Sequence, residues 1–135
     1  MTLIELQAKL EADLKIDPSK LLDETSSNLN LHAQYFSNLL RARIELKRQQ
    51  IAMRELEKNR YNYYAGFAPD VYEYNLDARA IKFNLEGDKE ILDMQKTITM
   101  LEIKLEFFAK ACDLFKDRGF AIKNQIDLLK FQSGA

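Results

Sequence analysis

From Asp88 onward the chain carries an apolar seam that leaves little choice of fold. Ile91, Met94, Ile98, Leu101, Leu105, Phe108, Cys112 and Phe115 keep the alternating three-four spacing of a heptad repeat without a miss. The same spacing runs on through Gly119, Ile122, Ile126 and Leu129. A seam this long commits the segment to a helix that packs against another helix over its length. Leu92, Ile103, Phe107, Ala111 and Leu114 widen it beyond a strict two-position stripe. Gly119 is the anomaly, since glycine inside a helix costs about 1 kcal/mol relative to alanine. Either the helix breaks there, or the missing side chain admits a neighbour at close range.

The rest of the chain supplies the partner helix. Thr2-Leu3-Ile4-Glu5 has the form of a capping box, and Leu3, Leu6, Leu10 and Leu14 then fall on one side of a short helix. Asp17-Pro18 is a second start signal, an N-cap followed by a first-turn proline. With no Gly or Pro before Gly66, residues 18 to about 64 read as one long helix, roughly 70 Å at 1.5 Å per residue. Leu22, Thr25, Leu29, His32, Phe36 and Leu39 form its expected seam, flanked by Leu40, Ile44 and Ile51. Residues 65–87 are a connecting loop with turn chemistry at Gly66, Pro69-Asp70 and Gly87-Asp88. Within it, Val71-Tyr72-Glu73-Tyr74 alternates like a strand and Asp77 to Phe83 suits two helical turns; the spacing leaves both open. Only 4 Gly and 2 Pro in 135 residues agree with an all-α chain.

The expected architecture is therefore a single helical domain. A short N-terminal helix precedes a long antiparallel hairpin, with residues 1–64 before the loop and the C-terminal coiled helix at 88–131. Two seams this wide cannot cover each other within one hairpin. Burying a large apolar side chain is worth roughly 1.5–3 kcal/mol, so self-association is expected to complete the core. The residues expected to carry it are Ile91, Met94, Ile98, Leu101, Leu105, Phe108, Phe115, Gly119, Phe120, Ile122, Ile126 and Leu129.

Charge and chemistry narrow the function. Between Arg41 and Arg60 stand seven basic and three acidic residues, a net of +4, against 13 basic and 18 acidic residues elsewhere. On a helix, Arg43, Lys47, Arg54, Lys58 and Tyr61 lie within about a 60° wedge. This basic stripe leads into Lys58-Asn59-Arg60-Tyr61-Asn62-Tyr63-Tyr64-Ala65-Gly66. Cations attract phosphate and tyrosine rings stack on bases, so a single-stranded nucleic acid suits the junction. Arg60, Tyr63 and Tyr64 point away from the stripe, as at a fraying helix end, and the bland alternative is that these cations only decorate that end. With one His and one Cys the chain offers no metal-spaced cluster, and no phosphate loop or nucleophile elbow is present. His32 and Cys112 sit on seams and read as packing residues. No catalysis, cofactor or metal is expected. No apolar run spans a membrane and Met1 to Leu10 has no basic-then-apolar leader. A lone cysteine fits a reducing compartment.

The junction resembles the Lys-x-Arg-x-x-Tyr-Tyr-x-Gly segment of the UvsY family, recombination mediators of large tailed bacteriophages. Arg118-Gly119-Phe120-Ala121-Ile122-Lys123 is similar to a run near that family's C-terminus, and Leu6-Gln7 and Ile16-Asp17 to its start. Pro18 and the Phe67 to Phe83 stretch depart from the family pattern. The resemblance implies a non-enzymatic protein of phage homologous recombination, repair and recombination-dependent replication in the cytoplasm of the infected bacterial host. It implies single-stranded DNA as ligand, and a RecA-like recombinase and the phage single-strand-binding protein as partners. It also implies a ring-like homo-oligomer of about six or seven copies. The DNA-contacting cations map onto Lys58 and Arg60, with Tyr61, Tyr63, Tyr64, Arg54, Lys47 and Arg43 read as their neighbours from the stripe. The assembly region maps onto the helix containing Arg118 to Lys123. The rival expectation is a helical scaffold or assembly adaptor without DNA binding.

Overall fold

The computed structural model describes residues 1–69, 72 and 74–134. Four helices follow one another: α1 (Leu3–Leu14), α2 (Leu21–Ala65), α3 (Ala78–Glu86) and α4 (Lys89–Gln132). No strand occurs among the described residues. The chain divides into two compact units, one of Met1–Ala42 with Lys104–Ala135 and one of Arg43–Ile103. Both long helices contribute a part to each.

In the first unit the capping box forms as expected. Thr2 Oγ1 accepts from the Glu5 amide at 3.2 Å, and Glu5 Oε2 accepts from the Thr2 amide at 3.0 Å. Leu6 and Leu10 of α1 then pack on Tyr35, Leu39 and Ala42 of α2 and on Phe108, Ala111 and Phe115 of α4. The Tyr35 ring lies 4.8 Å from Phe115 and its hydroxyl donates to Asp13 at 3.0 Å. Burial and that donation raise the Tyr35 pKa, so the phenol stays protonated. Asn28 meets Phe115 while Tyr35 also reaches back to Phe108, so α2 and α4 run in opposite senses here.

Two expectations for α2 need correction. The helix begins at Leu21, not at Pro18. Asp17 Oδ1 accepts from the Ser19 amide at 2.9 Å and from the Ser19 hydroxyl at 2.6 Å, so its side chain is spent on a tight turn. The expected seam is also displaced by one residue in part: Leu39 is buried as expected, but its other large members are not. Leu22 and Leu29 are 79% and 73% exposed and Phe36 is half-exposed, whereas Leu21, Tyr35 and Ala42 are buried. α2 carries two apolar stripes a residue apart, and its partners take the one with Tyr35, Leu39 and Ala42. That stripe offers a polar handle for Asp13 and small groups where helices approach.

α4 is unbroken through Gly119. A Cβ there would lie 3.1 Å from the Asn28 side-chain amide, so the glycine serves close approach. Of the residues expected to carry self-association, Ile91, Phe108, Phe115 and Ile122 are buried within the single chain, whereas Phe120 and Leu129 are more than half exposed. Arg118, in the middle of this segment, is only 5% exposed. Its Nε and Nη2 donate to the Leu14 and Lys15 carbonyls at 3.1 and 2.9 Å, closing the C-terminal end of α1. Its Nη1 reaches Asn28 Oδ1 at 3.1 Å, and Nη2 also pairs with Glu24.

In the second unit, Asp77 caps α3 by accepting from the Ala80 amide at 2.8 Å. Of the two readings for this region, helical turns are the one adopted over Asp77 to Phe83. Tyr72 and Tyr74 lie in irregular backbone, not in a strand; the expectations for Asp70, Val71 and Glu73 fall outside the described residues.

Candidate nucleic-acid interface

The junction is built where α2 stops. Gly66 adopts a φ of 83°, a left-handed conformation that glycine takes without a Cβ penalty. Its amide donates to the Tyr63 carbonyl at 3.3 Å and the Phe67 amide donates to the Asn62 carbonyl at 2.8 Å. These are the two bonds of a Schellman motif, so the helix is sealed at its end rather than frayed. This corrects the expectation for Arg60, Tyr63 and Tyr64, which belong to an ordered helical turn.

What orders that turn is Asp88, whose sequence context signals only a turn with Gly87. It stands just before α4 and is 4% exposed. Oδ1 accepts from the Ile91 amide at 3.1 Å, capping α4. Oδ2 accepts from Arg60 Nε at 2.8 Å and from the Tyr64 hydroxyl at 2.7 Å. Burial acts to raise the Asp88 carboxyl. The bonds from Tyr64, the Ile91 amide and Arg60 outweigh it and leave the group below its ordinary range. Burial and donation to the same carboxylate push the Tyr64 phenol up. One buried anion thus ties the motif on α2 to the start of α4.

The cations of the stripe divide into two kinds. Lys58, Arg54, Lys47 and Arg43 are all exposed, and none makes an ion pair among the described residues. Arg60 is largely covered, with Asp88 at 2.8 Å and Glu90 Oε2 at 3.7 Å from its Nε. Its local field is therefore offset by two carboxylates. The guanidinium carbon lies 4.4 Å from the Tyr63 ring centre and 5.4 Å from that of Tyr64, so the side chain also serves as a stacking surface. Tyr61 is nearly half exposed on the same face as Lys58.

The aromatic cluster is larger than the motif. Tyr63 and Tyr64 meet edge to face at 5.2 Å, and Tyr72 packs against both at 5.4 and 5.1 Å. Tyr72 and Tyr74 come from the irregular segment, where their strand-like alternation gave no sign of packing on the α2 tyrosines. Chemically the assembly offers exposed cations for phosphate and aromatic rings for bases. No group of His, Cys, Asp and Glu able to hold a metal occurs among the described residues, nor any helix long and apolar enough to cross a membrane.

Comparison with known proteins points the same way. A family model described as the recombination, repair and single-stranded-DNA-binding protein UvsY matches residues 9–135. The recombination protein UvsY of Enterobacteria phage T4 is 31% identical over 140 residues, covering 99% of each chain. Among solved structures, the bacteriophage T4 recombination mediator protein UvsY in lattice type II superposes with a TM-score of 0.88 at 30% identity, covering 98% of each chain. Lattice type IV of the same protein gives 0.87 at 30% identity, with 97% of this chain and 99% of that one covered.

Proposed function

This chain belongs to the UvsY family of recombination, repair and single-stranded-DNA-binding proteins, and from that premise we propose that it binds single-stranded DNA through the Lys58 face of α2 and acts as a recombination mediator. The observation that carries this is the exposed row Arg43, Lys47, Arg54 and Lys58 leading to a tyrosine cluster held in place by Asp88. Lys58 is the primary phosphate contact. Arg60, held through Nε by Asp88, lays its guanidinium face on Tyr63 and Tyr64 and adds a cation beside the strand. Tyr61, Tyr63 and Tyr64 supply stacking without sequence preference.

One such patch is weak, because a few non-specific phosphate contacts give only modest affinity at physiological salt. Repetition in a homo-oligomer makes each further contact intramolecular and raises the effective concentration. The exposed apolar stripe of Leu22, Leu29 and Phe36 supports self-assembly, as do Phe120 and Leu129. Strand held along such an assembly is withdrawn from the phage single-strand-binding protein and presented to a RecA-like recombinase, in the cytoplasm of the infected host.

A gel shift with labelled oligo-dT at two salt concentrations tests the reading. Binding that weakens steeply with salt, and less steeply after Lys58→Ala, is the expected result. No binding at either salt overturns it in favour of a scaffold without DNA.

A further inference from the structure

The tyrosines of the family-like motif do not end the aromatic surface. Tyr72 stands on Tyr63 and Tyr64 with interplanar angles of 68° and 72°, and Tyr74 continues the series 5.8 Å beyond at 66°. Each ring presents an edge to the next ring's face, the arrangement that the aromatic quadrupole favours. The inner members are half-buried, but Tyr74 is 60% exposed. A ring fixed on an aromatic base and left open to solvent has little to gain from the fold. Its contact with Tyr72 leaves most of it in water.

We propose that Tyr74, seated on Tyr72, is a further base-stacking platform, extending the path of single-stranded DNA beyond the Lys58–Tyr64 motif. The proposal rests on the single-stranded-DNA reading of that motif and adds residues to it. The occupant is a nucleobase for two reasons. The ring series starts at Arg60, whose guanidinium stacks on Tyr63, and so is continuous with the helix that bears the exposed cations. In addition, residues 66–77 contain three carboxylates and no lysine or arginine. That segment repels phosphate, so anything it adds to strand binding comes from the ring and not from charge. Stacking tolerates every base because every base has a π-face.

This makes the contribution of Tyr74 separable from that of Lys58. Fluorescence anisotropy would compare the full-length wild type, Tyr74→Ala and Tyr74→Trp on labelled oligo-dT and on an abasic sugar-phosphate strand of equal length. Tyr74→Ala is expected to bind oligo-dT about tenfold more weakly, with the slope of affinity against salt unchanged. It is expected to match wild type on the abasic strand, and Tyr74→Trp to retain binding to oligo-dT. Equal affinity of Tyr74→Ala and wild type for oligo-dT overturns the proposal alone, as does an equal loss on both strands. Failure of the wild type itself to bind oligo-dT would instead overturn the parent reading, and this one with it. Circular dichroism of the variants confirms that the helices persist, since the substituted ring lies outside them.

Discussion

Two arginines in this chain are drawn out of solvent, and they are used differently. Arg118, in the first unit, gives donors to two carbonyls at the end of α1, to Asn28 and to Glu24. The planar fork of the guanidinium is spent on the fold. Arg60, in the second unit, gives Nε to Asp88 and lays its flat face on tyrosine rings. Both sit in stretches resembling family motifs, Arg60 in the one expected to contact DNA and Arg118 in the one expected to carry assembly. The difference teaches that one side-chain type can be tied down in two ways, by several carbonyl and side-chain acceptors at one place and by a single carboxylate with aromatic faces at another. The distinction is made by what the guanidinium nitrogens already hold.

The sharpest way to break this comparison is to remove Arg118. Arg118→Met leaves Glu24 half-buried and two carbonyls without donors, and is expected to cost about 3–5 kcal/mol, read as a lower urea midpoint. A cost below about 1 kcal/mol would show that Arg118 is not the structural member of the pair. Asp88→Asn comes next. It keeps the shape but weakens the bonds to Arg60 and Tyr64, with an expected loss of about 1–3 kcal/mol at neutral pH. The Asp88 carboxyl lies lower in the folded chain than in the unfolded one. Its stabilisation is therefore full above the ordinary carboxylate range and is lost as pH falls through the depressed folded value. Urea titrations of wild type and Asp88→Asn are expected to converge in that acid window; a constant gap down to low pH would contradict the assignment.

Gly66→Ala places a Cβ in the left-handed region and is expected to cost about 1 kcal/mol. It also loosens the sealed turn that carries the tyrosines, so a small fall in oligo-dT affinity should accompany it. Lys58→Ala is the smallest in stability, within about 0.5 kcal/mol of wild type, because the side chain is exposed. Its effect belongs to binding, as weaker affinity and a shallower salt dependence. If Lys58→Ala destabilised the chain while leaving oligo-dT binding untouched, the roles assigned to the two units would be reversed.

Local signals were legible wherever cause and effect lie within a turn or two. The capping box at Thr2 and Glu5, the burial of Leu6 and Leu10 and the stop at Gly66 each depend on residues a few positions apart. The basic stripe of Arg43 to Lys58 was legible for the same reason, since helical periodicity alone brings those side chains together. The start of α2 was misplaced because Asp17 suits both an N-cap and a tight turn, and the turn prevailed. Leu39 of the expected α2 seam is buried, but Leu22, Leu29 and Phe36 are not, because two apolar stripes compete and a helix read by itself contains nothing that ranks them.

The amino-acid order by itself determined that the chain is helical, where most helices end and which α2 cations share a face, because backbone propensity and periodicity act over short distances. Only the tertiary structure decided which stripe of α2 is buried, that Gly119 faces Asn28, that Arg118 closes α1, and that Asp88 takes hold of Arg60 and Tyr64. Those choices pair residues that are far apart along the chain. Their energies come from geometry that exists only once the helices have met.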